Sequence, residues 1–134
     1  MPRPNFRDPN FWKELRTQTS LDGRVGVEEC YVWCKETFSL LSGYPNHGFR
    51  MQEGAVSTDM KAKWKLYVDA HWFLYREYKL GIFIADGTAG QIRNRYPVGY
   101  YGYFANAPKP LSLFYKRGLE WAGFNLRPPP SKTI

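Results

Sequence analysis

Lys61 to Lys79 reads KAKWKLYVDAHWFLYREYK, and the period of this stretch decides the fold. At 100° per residue, Met60, Trp64, Tyr67, Val68, His71, Tyr75 and Tyr78 fall on one apolar stripe, as on an amphipathic helix. Lys61, Lys65, Arg76 and Lys79 then gather on an adjacent basic ridge, with Asp69. At period 2, Ala62, Trp64, Leu66, Val68, Ala70, Trp72 and Leu74 face one way. Lys61, Lys63, Lys65, Tyr67, His71, Phe73 and Tyr75 face the other, the alternation of a half-buried strand.

Length and punctuation favour the helix. No glycine or proline occurs between Ala55 and Leu80, and strands usually run about 3–10 residues. Ser57 or Thr58 can cap a helix, Asp59 stands in its first turn, Lys79 in its last, and Gly81 follows. The β-branched and aromatic content of 67–75 keeps a strand as the alternative.

Outward from this stretch, residues 1–8 read as an extended arm. Asp8-Pro9 reads as a cap with proline at the first helical position, opening a short helix to about residue 17. Asp22-Gly23 marks a turn. VGVEECYVWCKETFSLLSG (25–43) gives a second helix with Val27, Cys30, Tyr31, Cys34, Phe38 and Leu41 on its apolar face. Glu28 and Glu29 sit in its first turn, where they offset the dipole. Residues 43–56 read as a loop. GIFIADGTAG (81–90) reads as a short buried strand or a broken helical extension. PVGYYGYFANAPKP is extended and aromatic-rich. A last helix starts at Pro110, buries Leu111, Phe114, Tyr115 and Ala122, and stops at Gly123. The tail, 127–134, is polyproline-like.

The expected fold is therefore mainly α: three to four helices in a single domain of 134 residues, with irregular Tyr/Gly/Pro-rich segments outside. The alternative is α+β, with a small antiparallel sheet starting near residue 61.

Lys and Arg number 19 against 12 Asp and Glu, a net charge of +7. That excess favours anionic partners. The aromatic share of 18% argues against a disordered chain. No run of eighteen apolar residues exists, so no transmembrane span is expected. The N-terminus lacks the apolar core of a secretory signal. Two cysteines are too few for a disulfide scaffold. The expected compartment is intracellular and reducing, with the mitochondrion as one candidate.

No motif reaches the strength of a catalytic or cofactor signature. Cys30, Cys34 and His47 follow part of a zinc-finger spacing but lack a fourth ligand, so no metal and no cofactor are expected. His71 reads as a hydrogen-bonded, partly buried histidine without a placed partner. Asp69 and Glu77 pair with neighbouring bases rather than with each other. ADGTAG lacks the lysine of a phosphate loop, and GYYGYFA lacks the basic lead of an RNA-recognition strand. Leu74-Tyr75-Arg76 resembles the tripeptide of the mitochondrial LYR-motif proteins. It covers three residues and stands mid-chain, where that family carries it at the start of its first helix. It implies no function here.

The expected function is a non-catalytic accessory or assembly subunit. It would dock on a larger complex with an acidic or membrane-proximal surface through Lys61, Lys65, Arg76, Lys79, Tyr100, Tyr101 and Tyr103. Its composition is similar to that of accessory subunits of mitochondrial respiratory assemblies. An RNA or single-stranded DNA binder is the alternative, with Tyr67, Phe73 and Tyr75 stacking on bases beside Lys61, Lys63 and Lys65. A small α+β enzyme with a pocket around His71 is the third reading.

Overall fold

The computed structural model describes residues 4–19, 30–92 and 99–126. In chain order the elements are α1 (Pro9–Arg16), α2 (Cys30–Leu41), β1 (Arg50–Ala55), α3 (Thr58–Trp64), β2 (Ala70–Tyr78), β3 (Gly81–Asp86), β4 (Tyr100–Tyr103) and α4 (Leu111–Trp121). The four strands form one antiparallel sheet in the order β1-β2-β3-β4. The fold is α+β, which corrects the mainly helical expectation.

The correction comes from Lys61–Lys79 itself. Ser57 caps α3 as its sequence position suggests, accepting the Met60 N–H at 3.2 Å. The helix then stops after Trp64, because Lys65 turns left-handed at φ 54°. Its own N–H and that of Leu66 bond back to the Ala62 and Lys61 carbonyls. A lysine thus fills the role expected of glycine. From Ala70 the chain obeys period 2.

Both faces of that strand are buried. Leu74 joins Phe83, Ala85, Trp12, Leu15, Trp33 and Cys34 in one core, under α1 and α2. Phe73, Tyr75 and Ile84 join Leu111, Phe114, Tyr115 and Leu119 in a second core, under α4. A strand covered on both sides reads as a continuous apolar run, which is why its aromatics also satisfied a helical template. Lys79 and Leu80 make the hairpin turn into β3, and Gly81 (φ 141°) begins β3 rather than ending a helix.

Two other readings change. Residues 43–56 contain β1, paired with β2 in the register Arg50↔Tyr75 to Ala55↔Ala70. In α2 the buried face is Cys30, Trp33, Cys34, Thr37 and Leu41, while Tyr31 and Phe38 are exposed. Val27, Glu28, Glu29, the Asp22-Gly23 turn and the tail lie outside the described residues, as do the first three residues of the N-terminal arm. Asp8 caps α1 by accepting the Asn10 N–H at 3.0 Å. Gly123 follows α4 at φ 104°.

Gly54 fixes the closeness of α4 to the sheet. A Cβ there would collide with the Phe114 carbonyl, which is backbone and cannot swing aside. Gly54→Ala is expected to cost about 1–3 kcal/mol or more, the range for overpacking, read as a lowered urea midpoint. Since Gly54 pairs with His71 across β1 and β2, the same contact sets how closely α4 covers that histidine.

Candidate active site

His71 is the second residue of β2 and Asp86 the last of β3. In the observed register they are diagonal neighbours on one face, which long side chains can bridge. The His71 Nε2 lies 2.6 Å from Asp86 Oδ2, and both side chains have no exposed surface. Tyr115 of α4 donates its hydroxyl to the same Oδ2 at 2.6 Å. Asp86 Oδ1 accepts the Thr88 N–H at 3.0 Å and the Thr88 hydroxyl at 3.3 Å. The carboxylate is thus held by four contacts, as a buried charge requires. Arg16 of α1 donates to the Gly87 carbonyl, tying the Asp86-Gly87-Thr88 turn to the helical layer.

His71 has a second side-chain partner. It hydrogen-bonds the thiol of Cys30, the first residue of α2. With Nε2 engaged by Asp86, that bond falls to Nδ1, so the imidazole bridges a thiol and a carboxylate. The Phe114 ring packs on it at 6.0 Å between centroids. Burial alone would hold the imidazole neutral. The Asp86 charge and hydrogen bond, together with Cys30, outweigh this and push its pKa up to about 9.

Cys30 and Cys34 are both free thiols one helical turn apart, yet they differ. Cys34 has no exposed surface, and burial, then the charges of Asp86 and Cys30, drive its pKa well up. It is an inert core thiol. Cys30 keeps 7% exposure and opens onto a cleft of about 310 Å³. Glu53, Lys61, Tyr67, Asp69 and Trp72 are among its walls.

The pair has a pH signature. The folded His71 pKa lies above the ordinary 6.5, so the pairing contributes its full stability below that value. The contribution falls as pH rises through about 9. Unfolding free energy is expected to drop by a few kcal/mol between about pH 6.5 and 9, and His71→Asn to flatten that slope. Urea midpoints across the range measure it.

The residues expected to form one docking surface are dispersed. Lys61 lies on α3 beside the Cys30 cleft, Lys65 caps that helix, and Lys79 occupies the β2–β3 turn. Arg76 reaches the His47 carbonyl at 2.9 Å and stacks over Tyr78. Tyr101 stacks on Trp12, Tyr103 packs edge-on against Phe83, and Tyr100 leans toward Tyr115 on the other face. Burial, then the Asp86 charge, raises the Tyr101 hydroxyl pKa far above its usual value. Of the three rings proposed to stack on bases, Phe73 and Tyr75 are buried, and Tyr67 alone is exposed. His47 accepts the Phe49 N–H through Nδ1 at 2.9 Å. No group of three candidate metal ligands occurs among the described residues, and no described helix is long and apolar enough to cross a membrane.

Comparison of the chain with protein-family models, with curated proteins and with solved structures finds no match. Sequence reasoning found His71 but missed Cys30, Asp86 and Tyr115 as its partners. The available signal was a polar pair, His71 and Asp86, at the open end of two apolar runs joined by a short hairpin.

Proposed function

We propose that the protein is a thiol-dependent acyl-transfer enzyme with Cys30 as nucleophile, His71 as proton carrier and Asp86 as the group that orients it. The observation that carries this reading is the unbroken chain Cys30–His71–Asp86, in which only the thiol end meets a cleft. A nucleophile, a base and an orienting carboxylate recur on unrelated folds and are recognised by geometry and role.

Each member has a defined task. An imidazolium beside a thiol favours the thiolate. The thiolate attacks a carbonyl carbon bound in the cleft, forming a C–S bond and a tetrahedral oxyanion. As the oxyanion collapses, the bond to the leaving group breaks, and the proton of His71 Nδ1 goes to that group. This leaves a thioester on Cys30 and a neutral imidazole. Water or another nucleophile then attacks the thioester while His71 takes its proton; the C–S bond breaks, the acyl group leaves on the new nucleophile, and the thiolate–imidazolium pair is restored. Asp86 keeps the Nε2 proton and the ring orientation throughout, and Tyr115 and Thr88 hold Asp86. A net charge of +7 adds long-range attraction for anionic substrates.

The test is acylation by an activated ester such as p-nitrophenyl acetate. Intact-mass analysis should find one acetyl group per chain, mapped to Cys30 and removed by hydroxylamine. An acetyl group confined to lysines, with none on Cys30, would contradict the proposal.

A further inference from the structure

A second cleft, of about 670 Å³, lies between the segment preceding α1 and the loop from α2 to β1. Its walls include Asn5, Phe6, Arg7, Asn46, Arg76 and Tyr78. It shares no lining residue with the Cys30 cleft. Both arginines stack on one ring: the Arg7 guanidinium lies 5.0 Å from the Tyr78 centroid and that of Arg76 lies 4.3 Å from it. Neither has a carboxylate partner among the described residues. Two like charges are thus brought together on one aromatic ring, with no carboxylate among the described residues to offset them.

The surrounding chain holds them there. Arg76 is anchored by donating one N–H to the His47 carbonyl at 2.9 Å. Gly48, at φ 75°, leaves it room, since a Cβ would stand 3.1 Å from Arg76 Nε. Arg7 donates to the Tyr103 hydroxyl at 3.4 Å. Each guanidinium has five N–H donors, so most remain for a ligand.

We infer that this cleft binds a small phosphomonoester, with Arg7 and Arg76 gripping its phosphate from two sides. Two guanidiniums carry two positive charges and up to ten N–H donors. A phosphate dianion matches both the charge and the number of donors better than a monoanionic carboxylate does. The cleft is larger than a phosphate ion, and Phe6 and Tyr44 offer an apolar wall to the ester body. The site is independent of the acyl-transfer reading and can be tested apart from it.

The experiment titrates the full chain with inorganic phosphate, phenyl phosphate and acetate at fixed ionic strength, following backbone amide resonances. Phosphate is expected to move Arg7, Asn46 and Tyr78 saturably, while acetate does not saturate. Tighter binding of phenyl phosphate supports an ester as the natural ligand, and equal binding supports the free ion; either supports the site. Arg7→Gln, an exposed position, and Arg76→Gln should each weaken binding about tenfold, the loss of a charge-assisted pair. Should Arg76→Gln disturb the fold through His47, Arg7→Gln decides alone. Absence of saturation with either phosphate, or unchanged affinity in Arg7→Gln, overturns the inference. Prior alkylation of Cys30 should leave phosphate binding unchanged.

Discussion

Cys30→Ala is expected to lower turnover of an activated ester by about 10⁴-fold or more, the scale of losing a nucleophile that acts as a unit with its base. The protein should remain folded, because Cys30 sits at the end of α2 and contributes one small side chain to the buried face. Loss of its thiol removes the bond-forming atom and one hydrogen bond to His71. Cys34→Ala is the matched control. It truncates a fully buried thiol one turn away, so stability should fall while acylation persists. If Cys34→Ala abolished acylation and Cys30→Ala spared it, the roles assigned to the two thiols would be reversed.

Asp86→Asn has the second large effect, and it acts on both stability and rate. The side chain keeps its shape but loses its charge. Thr88 can still donate to the amide oxygen in the Oδ1 position, but His71 and Tyr115, which share Oδ2, then face an amide nitrogen. Burial, no longer opposed by a carboxylate, brings the imidazole back toward its neutral form. Breaking a buried pair from one side costs about 3–5 kcal/mol. Turnover is expected to fall about 10³- to 10⁴-fold at neutral pH, because the histidine no longer holds a proton for the leaving group. The upper limb of the wild-type pH–rate profile should lie near 9, where His71 deprotonates. The variant should lose activity at lower pH. Thermal unfolding and pH–rate profiles of the two proteins, taken together, separate the structural effect from the catalytic one.

The terminal elements were legible where short-range chemistry decides. Asp8-Pro9 fixed the start of α1, and Pro110 and Gly123 bounded α4. The middle of the chain was not. Its strand is buried on both faces, so Trp72, Phe73, Leu74 and Tyr75 form an unbroken apolar run that fits either period. The break between α3 and β2 is made by Lys65 in a left-handed conformation, a state no composition rule assigns to lysine. The site was hidden for a related reason. Cys30, His71, Asp86 and Tyr115 come together only through the β2–β3 register and the packing of helices on both faces. His71 and Asp86 are fifteen residues apart, a separation with meaning only once the hairpin between them is known.

The docking expectation depended on a basic ridge along one helix. With Lys61–Lys79 divided between α3 and β2, the ridge is not formed, and Arg76 belongs instead to the cleft beside Tyr78. Lys61 keeps a place near the proposed chemistry, on the wall of the Cys30 cleft together with the acidic Glu53 and Asp69.

The most direct measurement is the rate of Cys30 alkylation by iodoacetamide as a function of pH, in the wild type and in His71→Asn. An ordinary thiol, with a pKa near 8.5, is only about 1% thiolate at pH 6.5. A preformed thiolate–imidazolium pair predicts wild-type alkylation that stays fast down to pH 6.5 and below, with the variant about 10–100-fold slower there. Superimposable profiles, both rising as an isolated thiol titrates, would contradict the account.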